Sequence, residues 1–367
     1  MSQQVAIRGD PRALNWLVGT APGQSLLREA YDRGERPLCC CCSPGVEMYV
    51  ARRGSTYYLA RLPGSGFLHA ESCASFDLGT IFSGAFCYTW SATADTEDGR
   101  VDLAYAPEPA NTDFPLGEVG INGLFDFLIE EAGINAFAPE APPQTWATCR
   151  KSIMDASTEF LLNGKELSPS VWCPPRFEPT DYPRTERALS DHVQSTLPAF
   201  VIAPLKSAET TEHGWRLALK HLPHHSFWLH ASVARLVERH LGVPMSSLVS
   251  GYCLVCLQVD AGRRPGNWMI RHAAIRATDR AYMPCPWFAP EAAAPLKGAG
   301  AHLLRPLRFD CSPAEPLADF VLTDQGAPCP VFLTGLQGNT PDLAHKHHAL
   351  EMLDRHAKRV QRLACPD

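Results

Sequence analysis

Four consecutive cysteines, Cys39 to Cys42, stand just before a hairpin pattern, and His69 and Cys73 stand just after it. Two alternating apolar-polar runs, 46–52 and 56–62, flank Arg53-Gly54-Ser55. So short a glycine-containing connection between such runs reads as a β-hairpin. A hairpin returns to where it began. Thiols ahead of its first strand are brought close to a histidine and a cysteine behind its second, giving Cys-x-Cys, a loop, then His-x-x-x-Cys. Three sulfurs and one imidazole form a closed four-ligand set, which suits zinc because Zn²⁺ takes thiolate and neutral imidazole tetrahedrally. The expected ligands are Cys39, Cys41, His69 and Cys73. Cys40 and Cys42 offer the same spacing one residue later, so the register stays open at this level. The competing reading, cysteines buried as small apolar residues, sits poorly with four adjacent thiols beside Pro37 and the Ser43-Pro44-Gly45 turn. A filled set leaves no position for water, so the metal would hold the hairpin together and activate no nucleophile.

A length of 367 residues allows about two or three folding units. With 45% hydrophobic and 20% charged residues the chain reads as globular. No apolar run reaches the roughly 18 residues of a membrane span, and MSQQVAIRGDPR holds no export-type apolar stretch. The expectation is a cytoplasmic protein without membrane insertion. Its 14 cysteines would then stay reduced, as metal ligands or core residues, and form no disulfide framework. A formal charge of −6, from 33 basic and 39 acidic side chains, excludes a protein that coats nucleic acid through bulk positive charge. The distribution is uneven, however. Residues 91–150 carry eleven acids against Arg100 and Arg150, whereas residues 200–300 carry eleven bases against six acids. Any electrostatic footprint for nucleic acid lies in the later segment.

The chain reads as α+β, or mixed α/β, in four parts. Residues 1–78 hold N-terminal helices and a zinc-ribbon-like hairpin, with one helix opening at Asp10-Pro11 and another over 25–33, closed by Gly34. Residues 79–118 form a second hairpin, with strands at 81–90 and 100–105, and a linker. Residues 119–198 form a helical module with two apolar stripes: Leu124, Phe125, Leu128 and Ile129, ending near Gly133, then Trp146, Cys149, Ile153, Ala156 and Phe160, closed by Gly164. This module could be winged-helix-like. A helical pair packed on the main core fits better, because Asp126, Glu130 and Glu131 would meet phosphate badly. Residues 199–367 alternate strands (200–205, 215–222, 252–259, 268–275, 304–309, 320–323, 331–334) with helices (231–241, 290–303, 341–356), which predicts a layered mixed-sheet domain.

Other clusters weigh less. Cys253 and Cys256 are three apart in a strand pattern, so they point to opposite faces and read as core. His221, His224, His225 and His230 lack a nearby carboxylate or thiol at ligand spacing. His345, His347 and His348 fit an exposed helical surface. Arg263 and Arg264 lie in a turn, with Trp268 beyond and Arg271, Arg276 and Arg280 following, a pattern suited to phosphate contact with base stacking. Gly19 to Ser25 has no Lys, so no phosphate-cradling loop and no nucleotide cofactor are expected.

The segments ERPLC-x-C, GVEMYVARR, LPGSGFLHAESCASF, GLFDFLIEEAGIN, RLALKHLP and ADFVLTD together resemble a bacterial family of uncharacterised proteins marked by N-terminal cysteines. The resemblance covers most of the chain. It implies a gene carried on plasmids and integrative conjugative elements, near conjugation or DNA-processing genes. The element order over 290–358 also resembles a restriction-endonuclease-like core. Active members of that group hold Mg²⁺ with an Asp opening one strand, an acid in the next and a nearby Lys. Asp319 fits the first position, while Pro330-Val-Phe-Leu-Thr334 supplies neither acid nor Lys, so the copy reads as degenerate unless Asp310 or another acid joins it. The leading expectation is a structural-zinc, non-catalytic accessory protein that contacts DNA or conjugation and DNA-processing proteins. The alternative is a metal-dependent nuclease using Asp319.

Overall fold

The computed structural model describes residues 3–53, 56–61, 65–66, 69–70, 72–76, 82–108, 115–250, 252–287, 289, 291–311, 317–324, 328–334 and 361–364. The expected helix at 341–356, with His345, His347 and His348, lies outside them, as does the Gly54-Ser55 turn.

Gln4–Ile7 (β1) and Asp10–Ala13 (β2) form a hairpin around Arg8 and Gly9, both at positive φ (55° and 82°). Two left-handed residues are what a tight hairpin turn with matching twist requires. Asp10-Pro11 therefore continues a strand and starts no helix. Pro11 is tolerated because β2 is the edge of its sheet. Leu14–Gly19 (α1) and Ala21–Asp32 (α2) follow. The second helix begins earlier than its apolar pattern suggests because the Thr20 side chain accepts from the Gly23 amide. Gly23 sits where a Cβ would lie 2.5 Å from the Leu17 carbonyl oxygen, so α1 and α2 meet backbone to backbone. Leu38–Cys39 (β3), Val46–Arg53 (β4) and Thr56–Arg61 (β5) complete a sheet in the order β2-β1-β3-β4-β5. The predicted hairpin is present, with Arg53 opposite Thr56. Val5, Ile7, Val46, Met48 and Val50 share a core with Leu17, Leu27 and Ala30 of the helices.

Thr93–Asp95 (β6) and Val101–Leu103 (β7) form the second hairpin. The strand expected over 81–90 is not formed among the described residues, and the first arm lies beyond it, because Gly84–Cys87 is a 3-10 turn seated on the later chain; a Cβ on Gly84 would lie 2.3 Å from the Arg308 carbonyl oxygen. Ile121–Glu131 (α3) ends before Gly133 at φ 65°, as its pattern predicts, and leads to Ala136–Phe137 (β8). Trp146–Ala156 (α4) is capped by Thr145. Phe160 leaves the helical stripe and enters Phe160–Leu162 (β9), which turns at Asn163 and Gly164 (φ 52° and 77°) into Lys165–Glu166 (β10). Gly164 thus closes a hairpin, not a helix.

Val171–Trp172 (β11) and Tyr182–Ser195 (α5) precede the most regular part of the molecule. Phe200–Thr211 (β12), Gly214–Leu219 (β13), Ser226–His230 (β14), Tyr252–Ala261 (β15) and Asn267–Thr278 (β16) pair in the order β12-β13-β14-β16-β15, and β15 returns to β12. The expected mixed sheet is therefore closed into a barrel, with no layered sheet at this point. Closure is possible because β12 is long and bent: residues 200–204 pair with β15, and after a register shift between Leu205 and Ser207 the rest pairs with β13. Counted from its own first strand the ring runs 1-2-3-5-4, strands three and five are parallel, and Ala231–Leu241 (α6) lies between strands three and four. That is the arrangement of an OB-type barrel. Alternation sorts the side chains. Val201, Ala203, Val255, Leu257, Ala273 and Ile275 join the core that α6 caps through Ala234 and Val237. Phe200, Ile202, Leu254, Cys256 and Ala274 point outward into the core of α3 and α4. Cys253 and Cys256 accordingly face opposite cores, as their spacing predicts.

The expected helix over 290–303 is only Ala294–Gly298 (α7), and the strand over 304–309 is only Leu303–Leu304 (β17). With Phe320–Leu322 (β18), Cys329–Thr334 (β19) and Gln361–Ala364 (β20) the last sheet runs β20-β19-β18-β17-β8. One face carries Phe320, Leu322, Val331 and Leu333. The other carries Val321 and Phe332, with Ala318, into the core of the first sheet.

Candidate metal centre

Cys39, Cys41, His69 and Cys73 converge, with their ligand atoms all within 4.8 Å of one another. Among the described residues no other group of three or more His, Cys, Asp or Glu has ligand spacing. Cys39 is held in β3 between Val5 and Val46 and is fully buried. The chain turns directly after Cys39, leaving Cys40 exposed and bringing the Cys41 sulfur to His69 and the Ala70 amide. That turn chooses the register the spacing alone left open. Cys40 turns its sulfur to the Leu38 carbonyl, and Cys42 lies 3.8 Å from the Cys41 sulfur and as far from the Pro44 carbonyl. Behind β5, successive turns (Cys73 N–H to Ala70, Phe76 N–H to Cys73) present His69 and Cys73 to the pair.

Three of the six separations are those of a tetrahedral ion, within a set that spans no more than 4.8 Å. Bonds of about 2.3 Å to sulfur and 2.0 Å to nitrogen place sulfurs about 3.8 Å apart and sulfur about 3.5 Å from nitrogen. Cys39 and Cys73 sulfurs are 3.7 Å apart, and His69 Nδ1 is 3.4 Å from the Cys41 sulfur and 3.7 Å from that of Cys73. Each sulfur also receives one N–H: Gln3 Nε2 to Cys39 at 3.2 Å, the Ala70 amide to Cys41 at 3.3 Å and the Ser75 amide to Cys73 at 3.4 Å. Such donors orient thiolate ligands and offset part of their charge. Burial pushes the Cys39 thiol up to about 12 and the Cys41 thiol up to about 11. A cation is the group that would favour their ionised form. The donor set could hold one metal ion and, once filled, keeps no side open to substrate.

The other candidate residues are dispersed. His221 stacks on Trp146, His224 meets Tyr182 edge-on, His225 accepts from the Trp268 indole at 2.9 Å, and His230 caps α6. Trp268 is 4% exposed inside the barrel and cannot stack on a base. Arg271 pairs with Asp260 at 2.5 Å, and Arg276 pairs at 2.7 Å with Asp126, a fully buried acid of α3. Arg263 and Arg264 remain exposed on the turn between β15 and β16. Asp319 is also fully buried; its carboxylate accepts from the Leu333 amide at 2.9 Å and lies 3.6 Å from Arg305. Asp310 accepts from Tyr88 and from the Gly120 and Gly123 amides. Neither acid belongs to a metal-spaced group among the described residues, so the pair of carboxylates that the nuclease reading needs is not assembled around Asp319.

One feature escaped sequence reasoning. The indole of Trp228, on β14, lies on the outer surface of the barrel and belongs to neither of its cores; its Nε1 donates to Asn267 at 3.3 Å. The alternation in Ser226-Phe-Trp-Leu-His230 was the available signal, and five residues beside a histidine-rich stretch were too few to raise it.

No curated protein and no solved structure matches the chain. A family model described as a protein of unknown function, DUF1173, matches residues 19–106 and 116–362. Those spans include all four residues of the centre and the whole barrel, and the chain belongs to the DUF1173 family.

Proposed function

We propose that the chain is a zinc-containing, non-catalytic accessory protein of a bacterial mobile or conjugative element, and that it works by holding DNA. The observation that carries this reading is the closed donor set of Cys39, Cys41, His69 and Cys73. Three sulfurs and a nitrogen favour zinc over hard cations, and a set without an open position staples a fold. The mobile-element setting rests on the resemblance of the cysteine block and its neighbouring segments. DNA is favoured as partner because the exposed Arg263 and Arg264 form no ion pair among the described residues, on a barrel type suited to oligonucleotides.

The test pairs metal analysis of untagged protein with gel retention and nicking assays in Mg²⁺ or Mn²⁺. One zinc per chain with DNA retained uncut is expected. Less than half an equivalent of zinc overturns the staple. Cleavage lost on Asp319→Ala would establish a nuclease instead. Failure to retain any DNA at low salt would shift the role to a protein partner.

A further inference from the structure

The two sides of the barrel's outer surface differ. On the β12 and β15 side, Phe200, Ile202, Leu254 and Cys256 are covered by α3 and α4. On the β13 and β14 side an open cleft of about 570 Å³ remains, within the roughly 300–1,000 Å³ of ligand sites. Its floor is Trp228 and Met269, the latter 40% exposed. One end is the turn between β12 and β13, with His213; the other is the turn between β15 and β16, with Arg263 and Arg264. His230, at the end of β14, completes the rim. No lining residue is a carboxylate; Glu209 pairs with Arg216 and Asp260 with Arg271, while the exposed Glu212 stands between Thr211 and His213, at the end of the cleft away from Arg263 and Arg264.

Both turns are built to stay in place. Arg264-Pro265-Gly266-Asn267 closes with the Asn267 amide on the Arg264 carbonyl and Gly266 at φ 76°, a type II turn with Pro and Gly where that turn prefers them. Gly214 lets β13 approach β14 so closely that a Cβ would lie 2.1 Å from the Leu229 carbonyl oxygen. The His213 carbonyl accepts the first amide of α6.

We infer that this cleft binds single-stranded DNA, with a base stacked on Trp228 and the adjoining phosphates held by Arg263 and Arg264. The inference rests on the DNA-holding reading above and adds the place and the strand state. Two exposed arginines in a lining without carboxylates select a polyanion, and a concave surface that presents the Trp228 indole, with Trp215 also in its lining, suits an unpaired base. In OB-type barrels the second and third strands and the two turns named here form the oligonucleotide surface. A duplex keeps its bases stacked on each other and gains nothing from Trp228.

The experiment measures binding of the full chain to dT18, an 18-bp duplex and dTMP across a salt series. Expected are dT18 tightest, a loss of about five- to hundredfold for Trp228→Ala, and a log–log salt slope shallower by ~1.4 for Arg263→Ala with Arg264→Ala. The arginine pair lies on an exposed turn, so that variant should keep the parent's melting temperature and metal content; it decides the matter if Trp228→Ala does not fold. DNA retained with both variants unchanged would remove this site while leaving the DNA reading intact. Tighter binding of duplex would overturn the strand state, and dTMP equal to dT18 would make the cleft a nucleotide pocket. No retention of any DNA would end both readings.

Discussion

The metal centre and the barrel cleft both gather groups that attract an oppositely charged partner, and they do so in opposite surroundings. In the centre, three sulfurs and one imidazole face inward, Cys39 and His69 are fully buried, and backbone amides point at the sulfurs. In the cleft, Arg263, Arg264 and His213 are exposed, and the floor is a half-buried indole. Closure suits a partner that enters once and stays. Openness suits one that must come and go, through charges that salt can screen.

The largest way to break this contrast is Cys73→Ala. It should abolish metal binding and lower the melting transition by roughly 10 °C or more, because metal affinity in such sites is folding free energy. Retention of dT18 by the still-folded barrel should persist; a parallel loss would mean that the two regions act as one. Arg276→Met leaves Asp126 buried without its guanidinium and should cost about 3–5 kcal/mol by denaturant unfolding, with metal content unchanged. It tests how firmly the barrel is seated on α3.

Acidity separates metal-free from metal-loaded protein. Burial holds the neutral thiol of Cys39 up to about 12, and of Cys41 up to about 11, from an ordinary value of 9.0. Without metal, the unfolded chain loses those protons first, so stability is intact below about pH 9 and falls as pH rises toward 11–12. With metal the folded form holds thiolates, so stability falls on acidification instead. Thermal melts at pH 6, 8 and 10, with and without a chelator, should cross in sign. The smallest effect belongs to Cys40→Ser and Cys42→Ser, which should each stay within about 0.5 kcal/mol of the parent and keep full metal content.

The centre was legible in the sequence because its geometry is local: a short hairpin brings residues 39–41 to 69–73. Only the register was hidden, and it depends on β3 being pinned between β1 and β4. The barrel strands were legible one by one, yet their closure was not. Pairing of Phe200 with Gln258 joins segments with no shared periodicity. Trp268 looked like a stacking residue because a strand pattern does not say which face is inside. Asp10-Pro11 looked like a helix start because the preceding Arg8-Gly9 turn carries no Asn or Asp to announce it. Asp319 stands just before its expected strand, which begins at Phe320, and the sequence could not show that its carboxylate faces Arg305 and the Leu333 amide.

The first sheet shares its core with Ala318, Val321 and Phe332, which has a consequence for synthesis on the ribosome. The apolar underside of β4 and β5 emerges some 270 residues before Phe332 is made, a wait of roughly 14–55 s at ordinary elongation rates. Unpaired apolar sheet surface is prone to aggregate in that interval. The four residues that could hold a metal span only residues 39 to 73, so an ion bound there would lock the hairpin in register during the wait, and the last sheet would then dock on a template already set.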